Sequence, residues 1–387
     1  MEERTRAYLR GRFGDHYRRV DPTPPPQAER REWGYIPWSS GPGTTMVRHR
    51  SLLELGDLGD FLAHERPQHV YFSAGRYDDP GAGTMDAKGR RSSDLIFDLD
   101  ADHLPSVDPT EATYAEMLAA CKDALYRLLD FLEDDFGFSD LTIVFSGGRG
   151  YHVHVRDPGV RDLDSDGRRE IVDYVRGIGF DPESVVETVQ SGRVTKRVLR
   201  IEGGWGRRTH RQLLAFLDEI RDLPDDAALD RLQSFDGIGE GRATAILTVA
   251  RDRYDDIAAG EAELGGPGVR TLATTIARRT VERERAPIDE PVTTDVNRLI
   301  RLPGSLHGGS GLAVRRIPRD ELDGFDPLID AVPETFRDHE IAVEVTDGGL
   351  VELGGRRFTV EEGDRYVPEY VGVFLMARGR AEKGRES

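Results

Sequence analysis

Asp98 and Asp100 close a short apolar run, Asp94-Leu95-Ile96-Phe97-Asp98-Leu99-Asp100, with one apolar residue between them. On a β-strand, residues i and i+2 project from the same face, roughly 6–7 Å apart. The two carboxylates therefore project together, while Phe97 and Leu99 turn into the core. Carboxylates that close repel each other, and a divalent cation between them relieves the repulsion. Hard cations such as Mg²⁺ take oxygen ligands. Asp-x-Asp also marks ordinary solvated strand ends, so the pair needs partners before it reads as a metal site.

Ser146-Gly147-Gly148-Arg149-Gly150-Tyr151-His152 offers one. Three glycines in a tight turn let backbone N–H groups approach an anion closely. Arg149 adds a planar cation suited to phosphate, Ser146 a hydroxyl and His152 an imidazole. The same residues would also build a plain glycine-rich hairpin. His154 shares the face of His152 and reads as a satisfied core histidine. A third stretch runs from Asp289-Glu290-Pro291-Val292 to Arg298-Leu299-Ile300-Arg301-Leu302-Pro303-Gly304-Ser305-Leu306-His307-Gly308. Its arginines and histidine suit phosphate, with Arg301 and His307 the natural contacts. Together the stretches supply what phosphoryl transfer requires: carboxylates for two metals about 3.5–4 Å apart, and cations for a triphosphate.

The elements that must position these residues alternate in type. An opening helix over the first 20 residues ends at Asp21-Pro22-Thr23-Pro24-Pro25-Pro26, a stiff connector. Strands are expected at 31–36, 45–49 and 70–74, with a turn at Gly41-Pro42-Gly43, and a loop over 75–91 leads into the acidic strand. An amphipathic helix spans roughly 111–135 and buries Cys121 on its apolar face. Two further strands flank the Ser146–Gly150 turn. Strands separated by helices, together with hairpins, give a mixed α/β core. From 203 to 286 the pattern shifts to helices, as an inserted helical region. Within it Gly237-Ile238-Gly239-Glu240-Gly241 resembles a helix–hairpin–helix, whose amides can hold a DNA phosphate or simply turn a packing corner. Residues from Arg378 read as a disordered tail.

Composition bounds the class. The chain has 387 residues and one cysteine, which excludes a disulfide framework and multi-cysteine zinc sites. No apolar run suits a membrane span, and the charged N-terminus carries no secretory signal, so a cytoplasmic protein is expected. Net charge is −18, and only four of the 53 basic residues are lysines. An acidic surface poor in lysine suits a cytoplasm of very high salt, where the Debye length falls to about 3 Å. A halophilic source is expected.

At this point the chain resembles the small catalytic subunit of archaeal and eukaryotic DNA primases. The matching segments are Arg31-Glu32-Trp33-Gly34-Tyr35, Met46-Val47-Arg48-His49, Asp94 to His103, Ser146 to His152 and Arg298 to His307, in family order over residues 5–320. The resemblance implies a primase catalytic core, mixed α/β with flanking helices, over 1–202 and 287–377. The helical insert would occupy 203–286 and the tail 378–387. It implies synthesis of short RNA or DNA primers from NTPs or dNTPs on a single-stranded DNA template, with Mg²⁺ or Mn²⁺, beside a large subunit. Carried over by position, Asp98 and Asp100 match the metal-binding pair, and Ser146, Arg149 and His152 the triphosphate contacts. Asp289 matches the third carboxylate, with Asp295 as the fallback. Arg301 and His307 match further phosphate contacts, and Arg48 is a weaker candidate. Many relatives carry a cysteine- and histidine-rich zinc knuckle after the acidic strand. Here Asp102 to Pro109 holds only His103, so no structural zinc is expected. A repair-type polymerase of the same superfamily and a noncatalytic DNA-binding subunit remain the alternatives.

Overall fold

The computed structural model describes residues 1–38, 45–105, 107–108, 110–191, 194–263 and 266–385. The turn expected at Gly41-Pro42-Gly43 lies outside the described residues, as do Ser106 and Pro109. The chain divides into two compact units: Met1–Leu125 with Ser139–Arg169 and Pro287–Ser387, and Tyr126–Phe138 with Glu170–Ala286.

The first unit holds a four-stranded sheet in the order Arg315–Ile317, Leu141–Phe145, Gly150–Val155, Leu95–Asp100, antiparallel throughout. The two inner strands are rich in β-branched and aromatic residues, which suits strands covered on both faces. Register places Asp98 opposite His152, and Asp100 opposite Gly150. Val144 also faces His152, and Arg316 faces Val144. Phe97 and Leu99 are fully buried. Behind them the helix Tyr114–Asp130 sets Cys121, whose thiol donates to Leu99 O at 3.4 Å. Burial raises the Cys121 pKa, so the thiol is a packing residue.

A second four-stranded sheet runs Leu299–Arg301, His69–Ser73, Trp33–Ile36, Val47–Arg50. One buried carboxylate ties it to the first. Asp94, at the foot of the acidic strand, is fully buried and receives Arg31 at 2.8 Å, Arg76 at 2.6 Å and Arg156 at 3.0 Å. Arg168 donates to the carbonyls of Asp94 and Ser93 at 3.0 and 2.9 Å. Burial pushes the Asp94 carboxyl pKa up, but Arg31, Arg156 and Arg76 outweigh burial and hold it below the usual range.

Of the tail expected from Arg378, the described residues 378–385 are ordered instead. Ala381–Lys383 forms a strand against Glu340–Val345, which also pairs with Gly363–Pro368. Lys383 is buried, its amide bonded to Thr5 Oγ1 at 2.8 Å. Long-range pairing orders a charged stretch that has no local pattern of its own.

The second unit packs helices Gly204–Arg221, Asp225–Gln233, Glu240–Asp252, Tyr254–Ala258 and Gly266–Glu284 around one apolar cluster. It begins earlier than residue 203 and is not purely helical. Val185 and Leu199, at the ends of the hairpin Val186–Ser191 and Val194–Leu199, are buried in that same cluster. Phe180, Val185, Val186 and Leu199 thus share the core of the helices that follow.

Removing the Asp94 carboxylate leaves several buried guanidinium groups without their anion. Asp94→Ala is expected to lower unfolding free energy by about 3–5 kcal/mol, measured by denaturant titration at fixed KCl. A loss below about 1 kcal/mol would show that the cluster does not hold the sheets.

Candidate active site

Asp98 sits at the centre of a charged face in the first unit. Its Oδ1 lies 3.3 Å from His152 Nε2, as the strand register requires. Burial pushes the Asp98 pKa up, but His152, Arg298 and Arg301 outweigh it and keep the carboxylate ionised below its usual range. Asp100 is more open. Arg149 Nε lies 4.0 Å from Asp100, and the same guanidinium pairs with Asp102.

Asp289 reaches this face through the backbone. Its N–H donates to Asp98 O at 2.9 Å, and it precedes the short helix Glu290–Thr294, with Pro291 in the first turn. Asp295 lies at the far end of that helix, where its Oδ1 accepts from Asn297 N at 2.9 Å. Between the two, it is Asp289 that the backbone joins to the strand of Asp98.

The Ser146–Gly150 turn is held tightly by its neighbours. Gly150 packs so closely on the acidic strand that a Cβ there would stand 1.8 Å from Leu99 O. Gly147 has φ +77°, and its Cβ would meet His307 at 2.7 Å. The turn's carbonyls are taken by the protein. Gly147 O accepts from Ser310 Oγ at 2.5 Å, Gly148 O from the Tyr114 hydroxyl and Arg149 O from Ala101 N at 3.3 Å. Two amides are taken as well, Ser146 N–H by Gly150 O at 2.9 Å and Gly148 N–H by Ser146 Oγ, so among the described residues the amides of Gly147 and Arg149 are the turn's free donors. Ser146 Oγ accepts from Gly148 N at 3.3 Å and keeps its own hydrogen to donate.

His307 lies against this turn and is partly buried. Burial, then Arg301 and His69, pushes its pKa well down, so it is neutral. Its Nδ1 is 3.2 Å from Ser310 Oγ. Ser310 has one hydrogen, which goes to Gly147 O, so Nδ1–H is the donor in that pair. Neutral His307 thus presents Nε2 as an acceptor, and contact with a phosphate requires a second proton. Arg301 lies over the Tyr71 ring at 5.6 Å, and its charge is felt by both Asp98 and His307.

Arg48 is placed differently. Its Nε pairs with buried Glu32 at 3.1 Å. It lies on the sheet edge opposite Arg301, three strand spacings away, or about 14 Å. The structure gives it a role in holding Glu32 and joins it to none of the groups around Asp98. His154 is a core residue, stacked on Phe72 at 6.0 Å, yet neither ring nitrogen has a partner. It is therefore buried but not satisfied.

Several contributors carried no clear signal in sequence. Asp102 continues the Asp98–Asp100 alternation and could have been found from it. Arg378, inside the expected tail, stacks on Tyr114 at 4.8 Å beneath the Gly148 carbonyl. Burial lowers its pKa, and neighbouring Arg149 adds to that. No local pattern announces it.

The donor set is oxygen only, which fits a hard cation. Among the described residues no group of three or more His, Cys, Asp or Glu side chains is placed to hold a metal ion. Mg²⁺ is ordinarily held by one or two carboxylates plus substrate phosphates. Asp98 and Asp100, with Asp289 alongside, fit that open pattern.

Fold and site define a class: a mixed α/β chain that sets a carboxylate pair against a turn carrying glycine, arginine and histidine. Residues 97–318 match the family model described as DNA primase small subunit. A DNA primase small subunit from Haloarcula marismortui is 66% identical across the full length of both chains. One from Halorubrum lacusprofundi is 60% identical, also over all of both chains. One from Methanocella arvoryzae is 42% identical over 99% of each. The chain belongs to the DNA primase small subunit family, a nucleotidyltransferase family of DNA replication. Its acid-rich, lysine-poor composition fits the halophilic organisms of these first relatives.

Burial, then Arg301, lowers the His69 pKa to about 3. The fold keeps His69 neutral, while the unfolded chain protonates it below about 6.5. Its contribution is therefore present above pH 6.5 and is lost as pH falls toward 3. His69→Gln is expected to flatten the pH dependence of unfolding in that window by up to about 1.4 kcal/mol per pH unit. Denaturant titrations at stepped pH check this, and an unchanged slope would contradict it.

Proposed function

We propose that this chain synthesises primers on single-stranded DNA, joining nucleotides at a site built on Asp98, Asp100 and Asp289. The observation that carries this reading is the register of one strand pair. It sets Asp98 beside His152 and Asp100 opposite Gly150, so the carboxylates and the anion-binding turn share one sheet face. When bound, Mg²⁺ or Mn²⁺ supplies charge neutralisation at the phosphates and acidifies the attacking 3′-hydroxyl.

The chain's own residues do the positioning. His152 holds the Asp98 carboxylate in place and ionised. The turn amides, the Ser146 hydroxyl and Arg149 receive the triphosphate oxygens. Arg149 pairs with Asp102 in this structure, so an arriving triphosphate takes it over from a carboxylate. Arg301 and His307 add positive charge at the far side of the turn, His307 once it gains its second proton. Ser310 and Tyr114 fix the turn's carbonyls and so aim its amides.

The partners proposed are a large subunit, the template strand and NTPs or dNTPs. Among the described residues no helix is long and apolar enough to cross a membrane. The single cysteine is committed to the core, and we propose a fold without structural zinc. A repair-type polymerase would use the same carboxylates, and unprimed dinucleotide synthesis separates the two readings.

Asp98→Ala with Asp100→Ala is expected to cut unprimed synthesis on single-stranded template by at least about 10³-fold, in molar KCl with Mn²⁺. Melting and nucleotide binding at the turn should change little. Synthesis within tenfold of wild type would overturn the site.

A further inference from the structure

The helical unit contains a pocket that the reaction site does not use. It encloses about 210 Å³ and is lined by Phe216, Arg231, Phe235, Arg279, Thr280 and Arg283, with Gln212 and Glu219 at its margin. We propose that this pocket grips single-stranded nucleic acid, taking phosphates on Arg279 and Arg283 and a base on the Arg279 guanidinium. The identity of the strand as template rests on the primer-synthesis reading above.

Unpaired cations are the first support. Acids outnumber bases 71 to 53 in this chain. Yet among the described residues no carboxylate pairs with Arg279 or Arg283. The one acid at the margin, Glu219, faces Arg231 at 3.5 Å. Arg279 and Arg283 are one helical turn apart on Gly266–Glu284, about 6 Å along the axis. Successive phosphates of one strand can match that spacing.

The aromatic floor is the second. Phe235 is buried and meets Phe216 edge to face at 5.0 Å. The Arg279 guanidinium carbon lies over the Phe235 ring, 4.2 Å from its centroid, and Arg279 is itself exposed. A base can stack on the outer face of such a guanidinium plane.

Thr280 is the third. Four helical threonines in this unit, Thr244, Thr248, Thr271 and Thr275, bond back to the carbonyl four residues earlier, whereas buried Thr209 and Thr280 do not. Thr280 is 2% exposed, and its hydroxyl has no partner. A buried hydroxyl without a hydrogen bond is costly. Here it lines the pocket beside Arg279, where a phosphate oxygen would satisfy it.

The neighbouring hairpin extends the surface. Phe235 begins the turn that enters Glu240–Asp252, and nothing lies within 4 Å of where a Cβ of Gly239 or Gly241 would stand. A phosphate backbone can approach the amides there. High salt makes such built contacts necessary, because screening over about 3 Å removes long-range attraction.

The test uses the full-length chain and a fluorescent 20-mer of single-stranded DNA, titrated across KCl concentrations that keep the protein folded. Arg279→Gln with Arg283→Gln is expected to weaken oligonucleotide binding at least tenfold. It should also reduce the slope of log K against log [KCl] by about 1.4, for two lost phosphate contacts. Thr280→Val should weaken binding several-fold with melting unchanged, and nucleotide affinity at the active site should hold in all variants. Wild-type affinity and slope in the double variant would overturn the proposal. So would parallel loss of nucleotide binding and melting temperature. Wild-type protein that binds the oligonucleotide through these residues but makes no primers would support the pocket and count against the primer-synthesis reading.

Discussion

Asp94 is the constraint on which the rest of the first unit depends. A carboxylate at 0% exposure is tolerable only because three guanidinium groups surround it. Those arginines come from separate parts of the chain: the approach to the strand Trp33–Ile36, the strand Gly75–Tyr77 and the end of the strand Gly150–Val155. Closing on one anion, they fix where the acidic strand begins. Four residues later on the same face stands Asp98, and six later Asp100. The geometry of the candidate site is therefore set from the buried end of its own strand.

The turn that faces those carboxylates shows the same logic in hydrogen bonds. Anion binding by backbone amides requires that the carbonyls point elsewhere, and Ser310, Tyr114 and Ala101 hold them there. All three donors lie more than 30 residues away in sequence. The turn's shape is thus a property of the assembled unit. Heavy use of arginine suits both tasks, since a guanidinium donates in a fixed fork and keeps its charge when buried. In a chain with four lysines, recognition rests on such short-range, directed contacts.

Much of the site was legible because its motifs are local. The Asp98–Asp100 alternation, the Ser146–His152 turn and the Asp289–His307 stretch each state their chemistry within a few residues. Period-two patterning also placed Phe97 and Leu99 inside. What escaped depends on distant pairing. The Asp94 cluster joins residues more than 60 positions apart, and nothing near Asp94 marks it as a hub. Lys383 and Arg378 looked like a solvated tail because their order comes from strand Glu340–Val345 and the Tyr114 ring. Arg48 read as a weaker phosphate contact because sequence cannot show that Glu32, 16 residues earlier, pairs with it. The helical unit's start was missed because Val185 and Leu199 join its core from a hairpin that reads, locally, like any other.

The most direct test of the central claim is anomalous scattering from Mn²⁺ in crystals grown with a non-hydrolysable nucleoside triphosphate in high KCl. The expected result is a Mn²⁺ peak within about 2.5 Å of carboxylate oxygens of both Asp98 and Asp100, with the triphosphate against Ser146, Arg149 and His152. Manganese and nucleotide bound away from the Asp98–His152 face, or no manganese there with the nucleotide in place, would contradict it.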